Sequence, residues 1–230
     1  MAEATAFLHA LQVADGTLPI GRFSHSYGLE AWCEANPHAG ADALDSVVRS
    51  TLTGSVATLD GAAVALAHDA ASDADLVRLR AVDAALTARK LSVPARRASR
   101  LCGGRLAALG DELDAGEVFD RLRRSIDDGE CDGNLATVEG ALGAGLGIPA
   151  DRTVLIAVRG QAVAMFSAAV RLGRLGANRA QSLLHALTDD IERSAGIAMG
   201  VTVAELRSTL PELEIHAARH ARREARLFIT

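Results

Sequence analysis

A chain of 230 residues, 49% apolar and 23% charged, is long enough for one sizeable domain and has the balance of an ordinary globular protein, which excludes a disordered or fibrous chain. Its net charge of −5 gives no electrostatic reason to coat nucleic acid. Cys33, Cys102 and Cys131 are odd in number and widely spaced, so no disulfide framework is implied.

Aromatic residues make up only 3%, while alanine and leucine dominate the apolar set. That mix favours helices packed through small side chains over β-sandwich layers. The thiols suit a reducing compartment. The N-terminus carries Glu3 and no basic region ahead of an apolar core, so no signal peptide is expected and the cytoplasm is the expected location. The most apolar long stretch, Thr153 to Leu172, contains Arg159, Gln161 and Arg171, so a buried helix is expected there and no membrane span.

Early in the chain, Asp15 to Ser26 (DGTLPIGRFSHS) lacks helical periodicity and reads as an ordered loop. From Asp42 to Ala70, Leu44, Val47, Val48, Thr51, Leu52, Val56, Leu59 and Leu66 recur at spacings of helical type. Gly54 and Gly61 are expected to break this run into two helices, with Asp60 near the second start. Ser72-Asp73 gives an N-cap signal before Leu76, Val77, Leu79, Val82 and Leu86. Pro94 suits the first turn of the next helix, which continues through Ala98, Leu101, Leu106 and Leu109.

Glu117 to Arg124 is short and amphipathic, and Asp127 to Gly133 is an acidic, glycine-rich loop. A small-residue helix is expected from Asn134 to Gly147, and Pro149-Ala150-Asp151 opens the long apolar helix. Asn178 is expected to cap one more helix, carrying Leu183, Leu184, Leu187 and Ile191. Thr202 with Glu205, and Thr209 with Glu212 around Pro211, have capping-box spacing. Ala217 to Thr230 reads as an arginine-dense helix ending in an exposed apolar Leu227-Phe228-Ile229. The expected fold is all-α, a single-domain bundle of roughly eight to ten helices over residues 1–230.

Catalytic signatures are thin. The chain carries no phosphate-binding Gly-x-x-x-x-Gly-Lys-Ser/Thr loop and no Gly-x-Ser-x-Gly elbow. Gly140, Gly143, Gly145 and Gly147 lack dinucleotide spacing and a preceding strand, so close helix packing is their reading. No tightly bound cofactor is expected. His216 and His220, four apart on the predicted last helix, could face one ion or stand solvated. His25, between Ser24 and Ser26, could tie down its loop or act as a ligand. Arg219, Arg222, Arg223 and Arg226 beside Leu227-Phe228-Ile229 have the composition of a protein contact.

The stretch Leu11 to Glu30 (LQVADGTLPIGRFSHSYGLE) closely resembles the opening signature of the UreF family: Leu-Gln-x-x-Asp, then Leu-Pro-x-Gly-x-Phe-Ser-His-Ser, then Gly-Leu-Glu. The signature positions are Asp15, Pro19, Gly21, Phe23, Ser24, His25, Ser26, Gly28 and Glu30. Arg96, Ser99, Gly103 and Arg105 resemble the family's Arg-x-x-Ser-x-x-x-Gly-x-Arg helix, and Arg226-Leu227-Phe228 its terminal Arg-Leu-Phe. Trp32 stands where family members often carry tyrosine.

The resemblance implies an all-helical, non-enzymatic homodimer that binds UreD (also called UreH) and, through that complex, the GTPase UreG. The assembly would deliver nickel, handled transiently, to apo-urease. Trp32, Arg222, Arg223, Arg226, Leu227 and Phe228 would then contribute to partner binding. A stand-alone helical nickel-binding or regulatory protein using His216 and His220 is the alternative.

Overall fold

The computed structural model describes residues 2–210, 212–220 and 227–229. Twelve α-helices occur among the described residues, with no strand. They are α1 (Ala2–Ala14), α2 (Leu29–Ala35), α3 (Ala41–Thr51), α4 (Asp60–Ser72), α5 (Leu76–Arg89), α6 (Val93–Glu112), α7 (Glu117–Asp127), α8 (Leu135–Gly145), α9 (Ala150–Arg171), α10 (Ala177–Ala186), α11 (Thr188–Ala198) and α12 (Glu212–His220). The all-helical class is therefore as the composition implies. The helices are more numerous than expected because α1 forms on the N-terminal stretch and the run after Gly176 divides in two.

At the centre, α4 packs most extensively against α8, and both lie on α9. Small side chains set the spacing. A Cβ built on Gly140 would stand 2.4 Å from the Val64 carbonyl oxygen, and one on Gly143 would stand 2.4 Å from the Thr153 hydroxyl. Helix backbones can approach this closely only where side chains are missing. The glycine run is thus a packing device. Around it, Ala62, Ala63, Val64, Val138, Leu142, Val158 and Met165 are sealed from solvent.

The predicted break at Gly54 takes the form of a π turn at Leu52–Val56, closed by an Ala57 amide bond to the Leu52 carbonyl at 2.8 Å. That widened turn leaves the Gly54 carbonyl to accept the amide and hydroxyl of Thr209, at 2.7 and 2.8 Å. Gly61 breaks nothing; it lies in the first turn of α4.

Local caps differ from the sequence expectation in three places. Asp75 caps α5 by accepting the Arg78 amide, because Ser72 turns its hydroxyl back onto the His68 carbonyl within α4. Gly176 precedes α10, so Asn178 falls inside its first turn. The chain turns at Leu187, fully buried, which lets α11 reach α4 and the π turn as well as α9, while α10 packs on α9. Thr209 and Glu212 do not make the expected capping box: the Thr209 amide donates to the Gly54 carbonyl and the Glu212 carboxylate accepts the Trp32 indole. Thr202 and Glu205 do form the expected capping box, on the 3₁₀ turn Val203–Glu205.

By length and hydropathy α9 could cross a membrane, yet half of its most apolar window is buried under its neighbours. It is a core helix.

Replacing Gly140 with alanine forces the α4 and α8 backbones apart. Urea unfolding should show a loss of about 1–3 kcal/mol with an unchanged slope. A neutral result would mean that the α4–α8 contact has slack to absorb a methyl group.

Candidate functional site

The loop between α1 and α2 is fixed one residue at a time. Asp15 accepts the amide and hydroxyl of Thr17 at 2.7 and 2.8 Å, and these bonds hold its carboxyl below the usual carboxylate range. Asp15 and Pro19 stay at the exposed rim, whereas Gly21, His25, Ser26 and Gly28 are buried. Burial, and then the neighbouring Arg105 guanidinium, push the His25 imidazole below its ordinary value. Gly28 has φ +85°, and a Cβ there would stand 2.1 Å from the Leu213 carbonyl oxygen. Glycine is required on both counts, and it brings the start of α2 directly against α12.

The end of the chain returns to this loop. Glu30, buried in the first turn of α2, accepts the amides of Leu227 and Phe228 at 2.7 and 3.1 Å. The Ile229 amide bonds to the Ser24 carbonyl at 2.9 Å. Arg171, the last residue of α9, donates to the Phe23 carbonyl and lies 4.3 Å from the centre of the Phe228 ring. The apolar triplet is therefore not left in water as a whole. Phe228 is only 3% exposed, while Leu227 and Ile229 remain outside.

Trp32 also turns inward. It is 6% exposed, and its indole N–H donates to Glu212 of α12 at 3.1 Å. Glu214 accepts the Ser92 amide at 2.9 Å, so two carboxylates of α12 hold it to α2 and α6. Of the expected partner-binding set, Trp32, Leu227 and Phe228 are thus brought together around α2. Arg222, Arg223 and Arg226 lie outside the described residues.

The second motif makes a joint. Arg96 donates to the carbonyls of Lys90 and Leu91 at the end of α5, and Ser99 accepts the Leu135 amide at 3.2 Å. A Cβ on Gly103 would stand 2.0 Å from the Gly133 carbonyl oxygen. Arg105 lies across Gly21 of the signature loop.

Sequence reasoning missed Asp83, which organises the far side of that joint. Its buried carboxylate accepts the amides of Asp132, Gly133 and Asn134 at 2.7, 3.1 and 2.8 Å, together with the Cys131 thiol at 3.2 Å. The available signal was an acidic residue on the apolar face that carries Leu79, Val82 and Leu86. Arg171 was read only as one of the polar residues that interrupt the most apolar stretch; an arginine at the C-terminal end of that helix is favourably placed there.

Beneath α12 lies a cavity of about 280 Å³ whose wall includes Arg22, Glu139, Lys90, Asp60 and Tyr27. Arg22 and Glu139 are ion-paired, and Lys90 donates to Asp60 at 2.6 Å. Burial raises the Glu139 carboxyl against the pull of Arg22, and burial raises the Tyr27 phenol. Burial also pushes the thiols of Cys102 and Cys131 up to about 11 and about 12. Those directions are opposite to an activated nucleophile. His216 is half-buried on α12, and the side chain of His220 lies outside the described residues. Among the described residues no three His, Cys, Asp or Glu side chains converge as a metal site would require.

Comparison with known proteins finds a match to the UreF family model over residues 39–188. The signature loop and the tail lie outside that stretch, but full-length relatives cover both. The chain is 28% identical over 228 residues to "Urease accessory protein UreF" of Kocuria rhizophila, covering 97% of this chain and 96% of that one. It is 29% identical to the protein of that name from an Arthrobacter species, over the whole of both chains. It is 27% identical to the Yersinia enterocolitica protein, over 98% and 99% of the two chains.

Two outcomes follow from the site. Removing the Glu30 carboxylate (Glu30→Ala) takes the acceptor from the buried Phe228 amide and the part-buried Leu227 amide, at a cost of about 1–3 kcal/mol. Hydrogen exchange at Leu227 to Ile229 should quicken while α4 and α8 stay protected; unaltered exchange at the tail would remove Glu30 from its assigned role. For His25, a folded-state value below 6.5 means that the unfolded chain takes the proton first. Its contribution is full above 6.5 and drains away as pH falls through the window below. Stability measured between pH 8 and 5 should decline less steeply in His25→Gln, and parallel curves would contradict this.

Proposed function

Because the chain belongs to the UreF family, we propose that it serves as a non-catalytic scaffold in urease maturation. It binds UreD (UreH) and, through that complex, recruits and regulates the GTPase UreG, so that nickel reaches apo-urease. Nickel is cargo here. It passes through transient, shared ligands, which suits a chain that must release the ion. The scaffold works in the cytoplasm as a homodimer.

The observation that carries this reading is the seating of the tail on the signature loop. Two segments nearly two hundred positions apart in sequence are joined by Glu30, Ser24 and Arg171 into one surface. A reaction centre would place reactive groups in such a position. This surface places aromatic, aliphatic and guanidinium groups, the residue types that dominate the energetics of protein contacts. The perturbed titrations agree, since the shifted thiols and phenol are held in their unreactive protonated forms. The nucleotide cycle that drives the process belongs to the partner, because this sequence has no phosphate loop.

Purified chain mixed with UreD should elute as one complex that then captures UreG in its nucleotide-bound form. Removing residues 226–230 should weaken that capture about tenfold or more, with helix content by circular dichroism preserved. Capture unaffected by the deletion would take the tail out of the binding surface. No complex at all, with every component folded, would defeat the scaffold reading.

A further inference from the structure

We propose that the outward face of α6 docks UreD, through a surface of that partner that is aliphatic and edged with carboxylates. This contact rests on the scaffold reading and lies beyond the tail and its seat.

Between Arg89 and Gly110 the sequence holds six cations and no carboxylate, in a chain whose net charge is −5. Most of that stretch is α6, and α6 is charged against its own dipole. Helices favour acids at the start and bases at the end. Here the first turn holds no acid and leads into Arg96 and Arg97, while the last turn holds no base and closes on Asp111 and Glu112. Helix stability therefore does not account for these arginines. Two of them are occupied within the fold: Arg96 on the Lys90 and Leu91 carbonyls, and Arg100 on the Asp132 carboxylate. Arg97 and Arg105 are exposed, and among the described residues neither has a carboxylate within ion-pair distance.

Val93, Arg97, Leu101 and Arg105 recur at intervals of four, so they form one stripe along the helix. Val93 is 67% exposed and Leu101 39%, with Leu91 at 63% just ahead of them. Aliphatic side chains left in water beside unpaired guanidinium groups gain nothing for the fold. The stripe has no aromatic ring on which bases could stack. It is complementary to an aliphatic surface with an acidic rim. Its position selects the partner. At one end Arg105 lies across Gly21 of the signature loop, and at the other Glu214 of α12 holds the Ser92 amide. The stripe thus runs on from the surface that meets UreD in the scaffold reading, whereas UreG is recruited through that complex. As a helix face set on a packed core, it loses little freedom on association.

Binding of purified UreD to the full chain, measured across a salt series, tests this. Arg97→Glu should weaken UreD binding about tenfold or more, and Val93→Ser about fivefold. Arg97→Lys keeps the charge and should bind within about threefold of wild type, as should Arg78→Glu, an equal charge reversal on α5. Wild-type binding should fall with salt more steeply than that of Arg97→Ala. An acid nearer the start of α6 suits its dipole, so the melting temperature of Arg97→Glu should not fall, which separates a lost contact from a lost fold. Undiminished UreD binding by both Arg97→Glu and Val93→Ser overturns the contact and leaves the scaffold reading standing. A loss seen only on adding UreG, with UreD binding intact, also overturns it. So does retention of the wild-type chain on phosphatidylserine vesicles that Arg97→Glu abolishes while UreD binding stays intact. Wild-type chain that binds no UreD removes the scaffold reading and the contact together.

Discussion

One buried carboxylate, that of Glu30, ties the beginning of the chain to its end. A charged oxygen pair away from water must find donors, and a carboxylate accepting two amides meets that demand with the backbone of Leu227 and Phe228. Everything around it is arranged to keep that encounter possible. Gly28 lets α2 start against the Leu213 carbonyl, Trp32 and Glu212 lock α2 to α12, and Arg171 covers Phe228 from the other side. The tail is held by a few directed bonds where the core is held by area. A segment secured in that way can present side chains in fixed positions while staying at the surface.

The scaffold beneath is of another kind. Between α4 and α8 the contacts are dense and mostly apolar, and glycine and alanine set the spacing. Ion pairs appear only at the edge of this core, where Arg22 reaches Glu139 and Lys90 reaches Asp60 around the cavity under α12. The molecule thus divides its labour: close packing supplies rigidity, and polar pins attach the loop, α12 and the tail to that rigid base. Asp83 repeats the same device on the opposite side, gathering the amides of the acidic loop into one buried acceptor.

Much of this was legible in the residues. Helical spacing marked α3 to α9 with boundaries displaced by a few positions, and the small-residue composition of α8 foretold close packing. What periodicity could not show was where side-chain oxygens would go. Asp75 displaced Ser72 and Asp73 as a cap because Ser72 bonded within its own helix, and the Thr209–Glu212 box was lost because the π turn at Gly54 claimed the Thr209 amide. The run after Gly176 shows no signal for a turn at Leu187; tertiary packing decided it. The site was half visible. The signature loop, Trp32 and the tail were marked by their resemblance to a family, but their meeting at Glu30 joins residues 197 and 198 positions apart, and no local pattern encodes that. Arg171 and Asp83 each interrupt an apolar face, which was the available clue.

If the seated tail is the form that binds partners, locking it in place should do no harm. Cysteines substituted at Ser24 and Ile229, whose backbones are hydrogen-bonded, would cross-link the tail to the loop on oxidation. The measurement is capture of UreD and then UreG by the oxidised and the reduced double variant. Equal capture by both is the expected result. Capture lost on oxidation and restored by reductant would show that the tail must leave the loop to bind, and would contradict a preformed surface.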